Sequence, residues 1–246
     1  MLTVVPTPIG NLDDMTPRGL LALREADAIA CEDTRRTRAL LSHFGIPRPA
    51  ALLSYREGNE AKVGEHMVRL LADRKRVALC SDGGFPGISD PGYRLIRLMV
   101  ERGLPLEVLP GASAVHVALC ASGLPTSSYT FKGFPPRKAG ALRRFFEEEK
   151  EAPHTLVVFE SPFRVGQTLA AALDVLGDRQ AAVCVELTKK FERVERGFLG
   201  DLAARLQAQK PRGEITLVIA GNNPKFARAA GAPAMPPSMT PSAGGS

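Results

Sequence analysis

Five short apolar runs, Leu2–Val5, Asp27–Cys31, Ala51–Ser54, Arg76–Cys80 and Leu106–Leu109, each lead into a segment with helical character, and this alternation constrains the fold more than any other feature of the sequence. The helices are expected from Thr16-Pro17 to Ala26, from Asp33 to His43, from Gly58 to Asp73, from Pro91 to Arg102 and from Ala114 to about Gly123. A polar cap with first-turn proline opens the first, at Thr16-Pro17, and the fourth, at Asp90-Pro91, and Gly103 closes the fourth. A helix between two strands returns the chain to its starting edge, so the strands run parallel. The first half therefore reads as a mainly parallel sheet covered by helices.

The texture changes at Gly123-Leu124-Pro125-Thr126-Ser127-Ser128, which reads as a linker. Beyond it lie strands at Tyr129–Phe134, Thr155–Phe159, Ala181–Leu187, Arg193–Phe198 and Glu214–Ala220, and helices at Ala139–Lys150, Pro162–Leu176 and Leu199–Gln209. Strands that follow one another without a helix point to a mixed sheet. The fold class is α/β, with an N-terminal domain over residues 1–122 and a C-terminal domain over 123–221. Residues 222–246, rich in Gly, Ala, Pro and Ser, are expected to be a disordered tail, having too little apolar surface to offset the entropy of ordering.

A chain of 246 residues with 44% hydrophobic content can fill such cores. Its four cysteines, Cys31, Cys80, Cys120 and Cys184, form no CxxC pair and read as buried free thiols of a reducing compartment. No basic leader precedes a long apolar segment, and nowhere do eighteen apolar residues run together, so a cytoplasmic location without membrane association is expected. The net charge is +6. Residues 1–122 hold 15 basic and 14 acidic groups and residues 123–226 hold 16 and 12, which makes the second half the more basic one and permits a nucleic-acid partner there.

The chemistry concentrates in loops. Cys80-Ser81-Asp82-Gly83-Gly84-Phe85-Pro86-Gly87-Ile88-Ser89-Asp90-Pro91-Gly92 joins a strand to a helix, and Gly83, Gly84 and Gly87 are expected at positive φ, where the main chain can meet a ligand directly. Pro110-Gly111-Ala112-Ser113-Ala114 does the same one strand later. Both loops leave the carboxyl edge of the same sheet, where ligands of open α/β sheets lie. There is no GxGxxG, GxxxxGK[ST], HExxH or GxSxG, and the four histidines share no metal-like spacing, so no metal site is expected. The run Glu147-Glu148-Glu149 reads as a solvated helix face.

Eight stretches, in order, carry a resemblance: Pro6-Thr7-Pro8-Ile9-Gly10-Asn11-Leu12-Asp13-Asp14, Glu32-Asp33-Thr34-Arg35, the central loop from Ser81 to Gly92, Pro110 to Ala114, Ser122-Gly123-Leu124-Pro125, Gly133-Phe134-Pro135, Glu160-Ser161-Pro162-Phe163-Arg164 and Glu186-Leu187-Thr188-Lys189. Together, over about residues 2–221, they resemble the ribosomal RNA small subunit methyltransferase I family, the branch of the tetrapyrrole methylase superfamily that works on ribosomal RNA. The resemblance implies two α/β domains with S-adenosylmethionine folded into the cleft between them, and a homodimer. It also implies methylation of the ribose 2′-oxygen of a cytidine in the decoding region of small-subunit rRNA, with the small ribosomal subunit as partner. Carried over by position, it implies cofactor contacts from Pro8, Asp82, Gly83, Gly84, Phe85, Ile88, Ser113, Ala114 and Leu187. The family usually has Ala and Thr where this chain has Gly84 and Phe85, and its longer members often continue into a small C-terminal helical region. Sister enzymes methylate porphyrin-like rings, so a small-molecule methyltransferase, or a cofactor-binding assembly protein without catalysis, stays open beside the rRNA enzyme.

A ribose hydroxyl is a weak nucleophile, and a base or a neighbouring cation would assist its attack. The candidates for catalysis are Glu32, Asp33, Glu186 and Lys189, and for substrate contact Arg35, Arg164 and Lys189. Asp33 reads equally as the N-cap of the helix that begins there. Basic clusters at Arg35-Arg36, Arg137-Lys138, Arg143-Arg144 and Lys189-Lys190 are candidate phosphate contacts, with Phe134 and Phe163 as stacking partners for bases.

Overall fold

The computed structural model describes residues 1–229, which fall into two compact units, Met1–Ser113 and the chain from Ala114 onward. The first unit holds β1 (Leu2–Val4), β2 (Ala28–Cys31), β3 (Ala51–Ser54), β4 (Val77–Cys80) and β5 (Leu106–Val108), joined by α1 (Pro17–Glu25), α2 (Thr34–His43), α3 (Glu60–Ala72) and α4 (Tyr93–Glu101). All pairings are parallel, in the order β3-β2-β4-β1-β5. Two apolar clusters divide the helices between the faces: Leu23 of α1 and Leu41 of α2 pack with Ile29 and Ala78, whereas Met67 of α3 and Leu95 and Met99 of α4 pack with Val4 and Leu79. Neighbouring strands β1 and β4 thus send their helices to opposite faces, which opens a crevice between their carboxyl ends.

The second unit holds α5 (Ala114–Ser122), β6 (Tyr129–Phe131), α6 (Ala139–Glu147), β7 (Thr155–Glu160), α7 (Val165–Leu176), β8 (Gln180–Val185), β9 (Arg193–Phe198), α8 (Leu199–Ala208) and β10 (Ile215–Ile219). Its sheet runs β6-β7-β10-β8-β9, with only β6 and β7 parallel, as the helix-free strand succession predicts. Alternate residues of β7, β8 and β10 (Val158, Val183 and Leu217 among them) pack with Leu142, Leu169 and Leu202 of α6, α7 and α8. The opposite face takes α5, held by Arg196 Nε on the Ala121 carbonyl at 3.1 Å.

Several boundaries differ from those read in the sequence, each for a local reason. Helix α5, placed at the end of the first domain, packs on the second sheet, so the units divide at Ser113 rather than at 122. Helix α4 starts at Tyr93, since Gly92 has φ +151 and lies over Gly87. Strand β8 stops at Val185 because Glu186 takes φ +51. Cys120 is exposed, unlike Cys31, Cys80 and Cys184, which are buried.

The expected tail is also partly wrong. Residues 222–229 are ordered: Asn223 caps a 3-10 turn at Pro224–Phe226, Ala227 bridges to Arg179, and Arg228 pairs with Asp178 at 3.0 Å and Asp201 at 2.5 Å while lying over the Phe198 ring. The remainder of that stretch, residues 230–246, lies outside the described residues. No helix among the described residues is long and apolar enough to cross a membrane.

Candidate functional site

In the first unit, three loops converge at the carboxyl ends of the central strands. Thr7, after β1, and Gly84, after β4, exchange both backbone hydrogen bonds, Thr7 N to Gly84 O at 3.0 Å and Gly84 N to Thr7 O at 2.9 Å. Hydroxyls fix the rest: Thr7 Oγ1 donates to the Ser81 carbonyl and Ser81 Oγ to the Gly84 carbonyl, each at 3.1 Å. Both Thr7 and Ser81 are buried, so these bonds are shielded from water. The third loop, after β5, is brought in by Gly111, where a Cβ would come within 2.6 Å of the Pro6 Cβ.

The result is a close approach of the three loops. A Cβ at Gly83 would meet the Pro8 carbonyl at 3.4 Å, and one at Gly84 would meet Ile9 Cγ2 at 3.4 Å and the Ala112 carbonyl at 3.8 Å. Pro8, Gly83 and Gly84 therefore lie together, with Ser113 and Ala114 following directly on Ala112. Gly84 and Gly87 have the expected positive φ, +81 and +84, and Gly83 does not; a Cβ there would make only ordinary contact with the Pro8 carbonyl. Phe85 is half-buried, its carbonyl accepting from Ile88 N at 3.3 Å, and Ile88 itself is exposed. Ser89, at φ +62, is one of four non-glycine residues in that region among the described residues, an unusual conformation that usually marks a constrained loop.

On the other flank of β4, the acidic groups are sorted by their partners. Asp33 is the N-cap of α2, accepting from Arg35 N at 2.8 Å and from the Arg35 guanidinium at 2.6 Å, and these bonds hold its carboxyl far below the ordinary carboxylate range. Arg35 is thereby folded onto its own helix end. Asp82 accepts from Asp33 N at 3.1 Å and pairs with Arg36 at 3.1 Å, so it ties the central loop to α2. Glu32 is different. Burial, reinforced by the Asp82 charge, pushes its carboxyl up, against the pull of Arg36.

The second unit assembles the remaining candidates at one edge of its sheet. Burial is the largest influence on Glu186 and pushes its carboxyl up, but the Glu214 N–H at 2.7 Å and Lys189 Nζ at 2.9 Å outweigh it and hold the group below its ordinary value. Lys189 also reaches Glu214 at 3.0 Å, and these carboxylates together raise its ammonium despite burial. Glu186 at φ +51 and Thr188 at φ +63 flank the buried Leu187. Gly213 makes this fold possible, because a Cβ there would overlap the Glu186 side chain. Arg164 is committed as well, donating to the Pro135 and Pro136 carbonyls at 3.2 and 2.9 Å and facing buried Glu160 at 3.4 Å.

The sequence motifs mark the loops that converge here but not the groups that lock them. Thr7, Ser81, Arg36 and Glu214 carry no signal of their own as anchors. Gly213 was open to notice, as a glycine between a turn and a strand.

The chain is similar to known proteins over most of its length. Residues 1–203 match the model of the family described as Tetrapyrrole (Corrin/Porphyrin) Methylases. A protein of Halalkalibacterium halodurans named Ribosomal RNA small subunit methyltransferase I is 43% identical over 91% of this chain and 77% of its own length. One of the same name from Thermotoga maritima is 42% identical over 89% of this chain and 98% of its own. Among solved structures, the uroporphyrin-III C-methyl transferase of Thermus thermophilus complexed with S-adenyl homocysteine aligns with a TM-score of 0.59 at 19% identity, over 88% of this chain and 96% of that one, a likeness of fold.

Proposed function

The chain belongs to the tetrapyrrole methylase family, and on that premise we propose that it is an S-adenosylmethionine-dependent methyltransferase of small-subunit ribosomal RNA, its target the ribose 2′-oxygen of a cytidine in the decoding region. The observation that carries the substrate is the pair of relatives, each above 40% identity over about nine-tenths of the chain, that bear an rRNA methyltransferase name. A cytoplasmic homodimer, with the small ribosomal subunit as partner, completes the proposal.

The residues of the first unit fit the cofactor. Around Gly83-Gly84 the Pro8 and Ala112 carbonyls face the loop beside the Ile9 side chain, and such backbone groups suit the polar ends of a nucleoside and an amino acid. Pro8, Gly83, Gly84, Phe85, Ile88, Ser113 and Ala114 would hold it, Asp82 acting through the loop it anchors, and Leu187 is the contact assigned to the second unit. When bound, S-adenosylmethionine supplies an electrophilic methyl group on sulfur. The protein's part is then geometric, because in-line attack requires the hydroxyl to be held in position, and such placement is worth up to about 7–11 kcal/mol.

Of the carboxyls, Glu32 suits the proton best. Asp33 and Glu186 are held low by their partners and accept a proton poorly, whereas Glu32 is held high. Glu186 and Lys189 act as a locked pair that shapes the turn at Leu187, and Arg35 and Arg164 position their own loops.

The test is transfer of labelled methyl to small subunits lacking the modification, with free rRNA and uroporphyrinogen as comparison substrates. Label in the subunit rRNA is expected, and label in the ring compound alone would overturn the substrate. Glu32→Gln is expected to lower kcat by about 10²–10⁴-fold with cofactor affinity unchanged; an unaltered rate removes Glu32 from the mechanism. Light scattering of the purified protein checks the dimer.

A further inference from the structure

Four adjacent strands of the second sheet bring their loops to a common edge: residues 132–138 after β6, 161–164 after β7, 209–214 before β10 and 186–192 after β8. At about 4.8 Å per strand, the row is about 15 Å long. Phe163, Phe191 and Phe134 stand on it with 77%, 74% and 59% of their surface exposed, and no other phenylalanine is among the exposed large apolar residues described. Phe134 leans in part on the Phe159 ring, at 5.6 Å between centroids, but the exposed ring surface adds little to the fold. Three in one row are a surface made for contact.

The charge on this edge is one-sided. Its acids are all engaged: Glu160 is buried against Ser161 N and Thr168, Glu186 and Glu214 share Lys189, and Glu192 accepts from Thr188 N. Its cations are not all spent. Arg137, Lys138, Lys210 and Arg212 are exposed and have no acidic partner among the described residues. Lys190 lies over the Phe191 ring at 5.8 Å. Phe163 and Lys210 also border a cleft of about 280 Å³ whose remaining walls include Gln167 and Gln207. It exists because Gly166 lets α7 approach α8: a Cβ there would come within 2.8 Å of Gln207 Cγ. The Gln207 amide nitrogen donates to the Gly166 carbonyl at 3.4 Å, which turns its carboxamide in place, and with Gln167 it supplies the kind of donor and acceptor that read the edge of a base.

Aromatic faces interleaved with unpaired cations are the chemistry that holds an unpaired nucleic-acid strand: bases stack on the rings while phosphates meet the cations. A paired helix offers its phosphates but keeps its base faces hidden. We propose that this edge of the second unit is a docking site for single-stranded RNA, with one base stacked on Phe163 at the cleft and neighbouring bases on Phe134 and Phe191. The proposal rests on the rRNA reading above and adds to it the surface, and the unpaired state, by which the RNA is bound.

The experiment uses the full chain and a fluorescein-labelled twelve-nucleotide RNA of mixed cytidine and uridine, followed by anisotropy. Phe163→Ala is expected to weaken binding about tenfold, and the combined Phe134→Ala, Phe163→Ala and Phe191→Ala variant by about 10²-fold or more. Replacing Arg137, Lys138 and Lys210 by Gln should instead flatten the salt dependence, by about 0.7 in the log–log slope for each phosphate no longer neutralised. An RNA duplex of the same length should bind more weakly than the single strand. Melting temperature and S-adenosylhomocysteine affinity serve as controls and should not move. Triple-variant affinity within twofold of the parent, or equal preference for duplex, overturns the site. The rRNA reading is judged separately, by methyl transfer from the parent protein to small subunits, so that activity there with unchanged variant binding discards the surface alone.

Discussion

Two loops of this protein depart furthest from ordinary backbone, and they do so by opposite means. The loop from Ser81 to Gly92 places glycine at three of its four left-handed positions, Gly84, Gly87 and Gly92, and leaves one to Ser89. The turn at Glu186–Thr188 uses none, forcing Glu and Thr to φ +51 and +63 while the glycine that makes room, Gly213, sits before a neighbouring strand. In the first, glycine lets the backbone turn without strain and leaves no side chain of its own beside the bend. In the second, strain is held by an ion pair and a buried leucine, and the backbone has little freedom. The glycine loop suits a site that must admit a ligand, and the strained turn suits a fixed side-chain platform.

Substitutions at the glycines should break the comparison most sharply. Gly92→Ala would put a Cβ 2.7 Å from Gly87 N at a φ that alanine avoids, and is expected to cost about 3 kcal/mol and to abolish cofactor binding. Gly83→Ala meets its nearest atom at an ordinary 3.4 Å and should leave the urea midpoint nearly unchanged. Equal losses in the two variants would show that space within the loop is not what the glycines provide.

Next come the carboxyls, whose signs oppose. Glu186 is held below its ordinary value of 4.5, so its contribution to stability is present above that pH and is lost as the pH falls through the folded value. Glu32 is held above 4.5, so the native protein binds its proton more tightly than the unfolded chain does, and stability falls as the pH rises from 4.5 to the folded value. Glu186→Gln should therefore destabilise at pH 7, by about 1 kcal/mol, with the difference shrinking as the pH falls below the ordinary value of 4.5. Glu32→Gln should stabilise at pH 7 and lose that advantage in acid. Urea titrations between mild acid and neutrality give both signs, and shifts in the same direction would refute the contrast.

A small gain is expected at Thr188. Glycine there relieves a strained φ but loosens the unfolded chain, leaving a net gain of about 0.5 kcal/mol. A loss would mean that the Thr188 side chain, rather than its neighbours, holds the turn.

Much of the first unit was legible because its signals are local. Strand and helix alternate, Thr16-Pro17 caps where it should, and Asp33 proves to be the cap that an acidic residue before Thr34 suggests. The placement of α5 was not legible: apart from His116 and the terminal Ser122, Ala114–Ser122 is apolar, so periodicity names no face, and only the packing assigns it to the second sheet. The positive φ of Glu186 was equally hidden, since a Cβ-bearing residue is forced there by partners distant in sequence, Glu214 and Gly213. At the candidate site the sequence pointed to residue types, and the structure divided them by occupancy. Asp33, Arg35, Glu186, Lys189 and Arg164 are bound to one another or to backbone, while Glu32 is the carboxyl that burial holds above its ordinary value.

The return of the chain past its last strand has a practical side. Arg228 stitches Asp178, at the end of α7, to Asp201, in the first turn of α8, and the segment beneath it lies against Arg179. A gene trimmed where the sheet ends, after Ala220, would strip that stitch and leave two aspartates facing each other. For anyone choosing a cloning boundary or a fusion point, Arg228 belongs with the second unit.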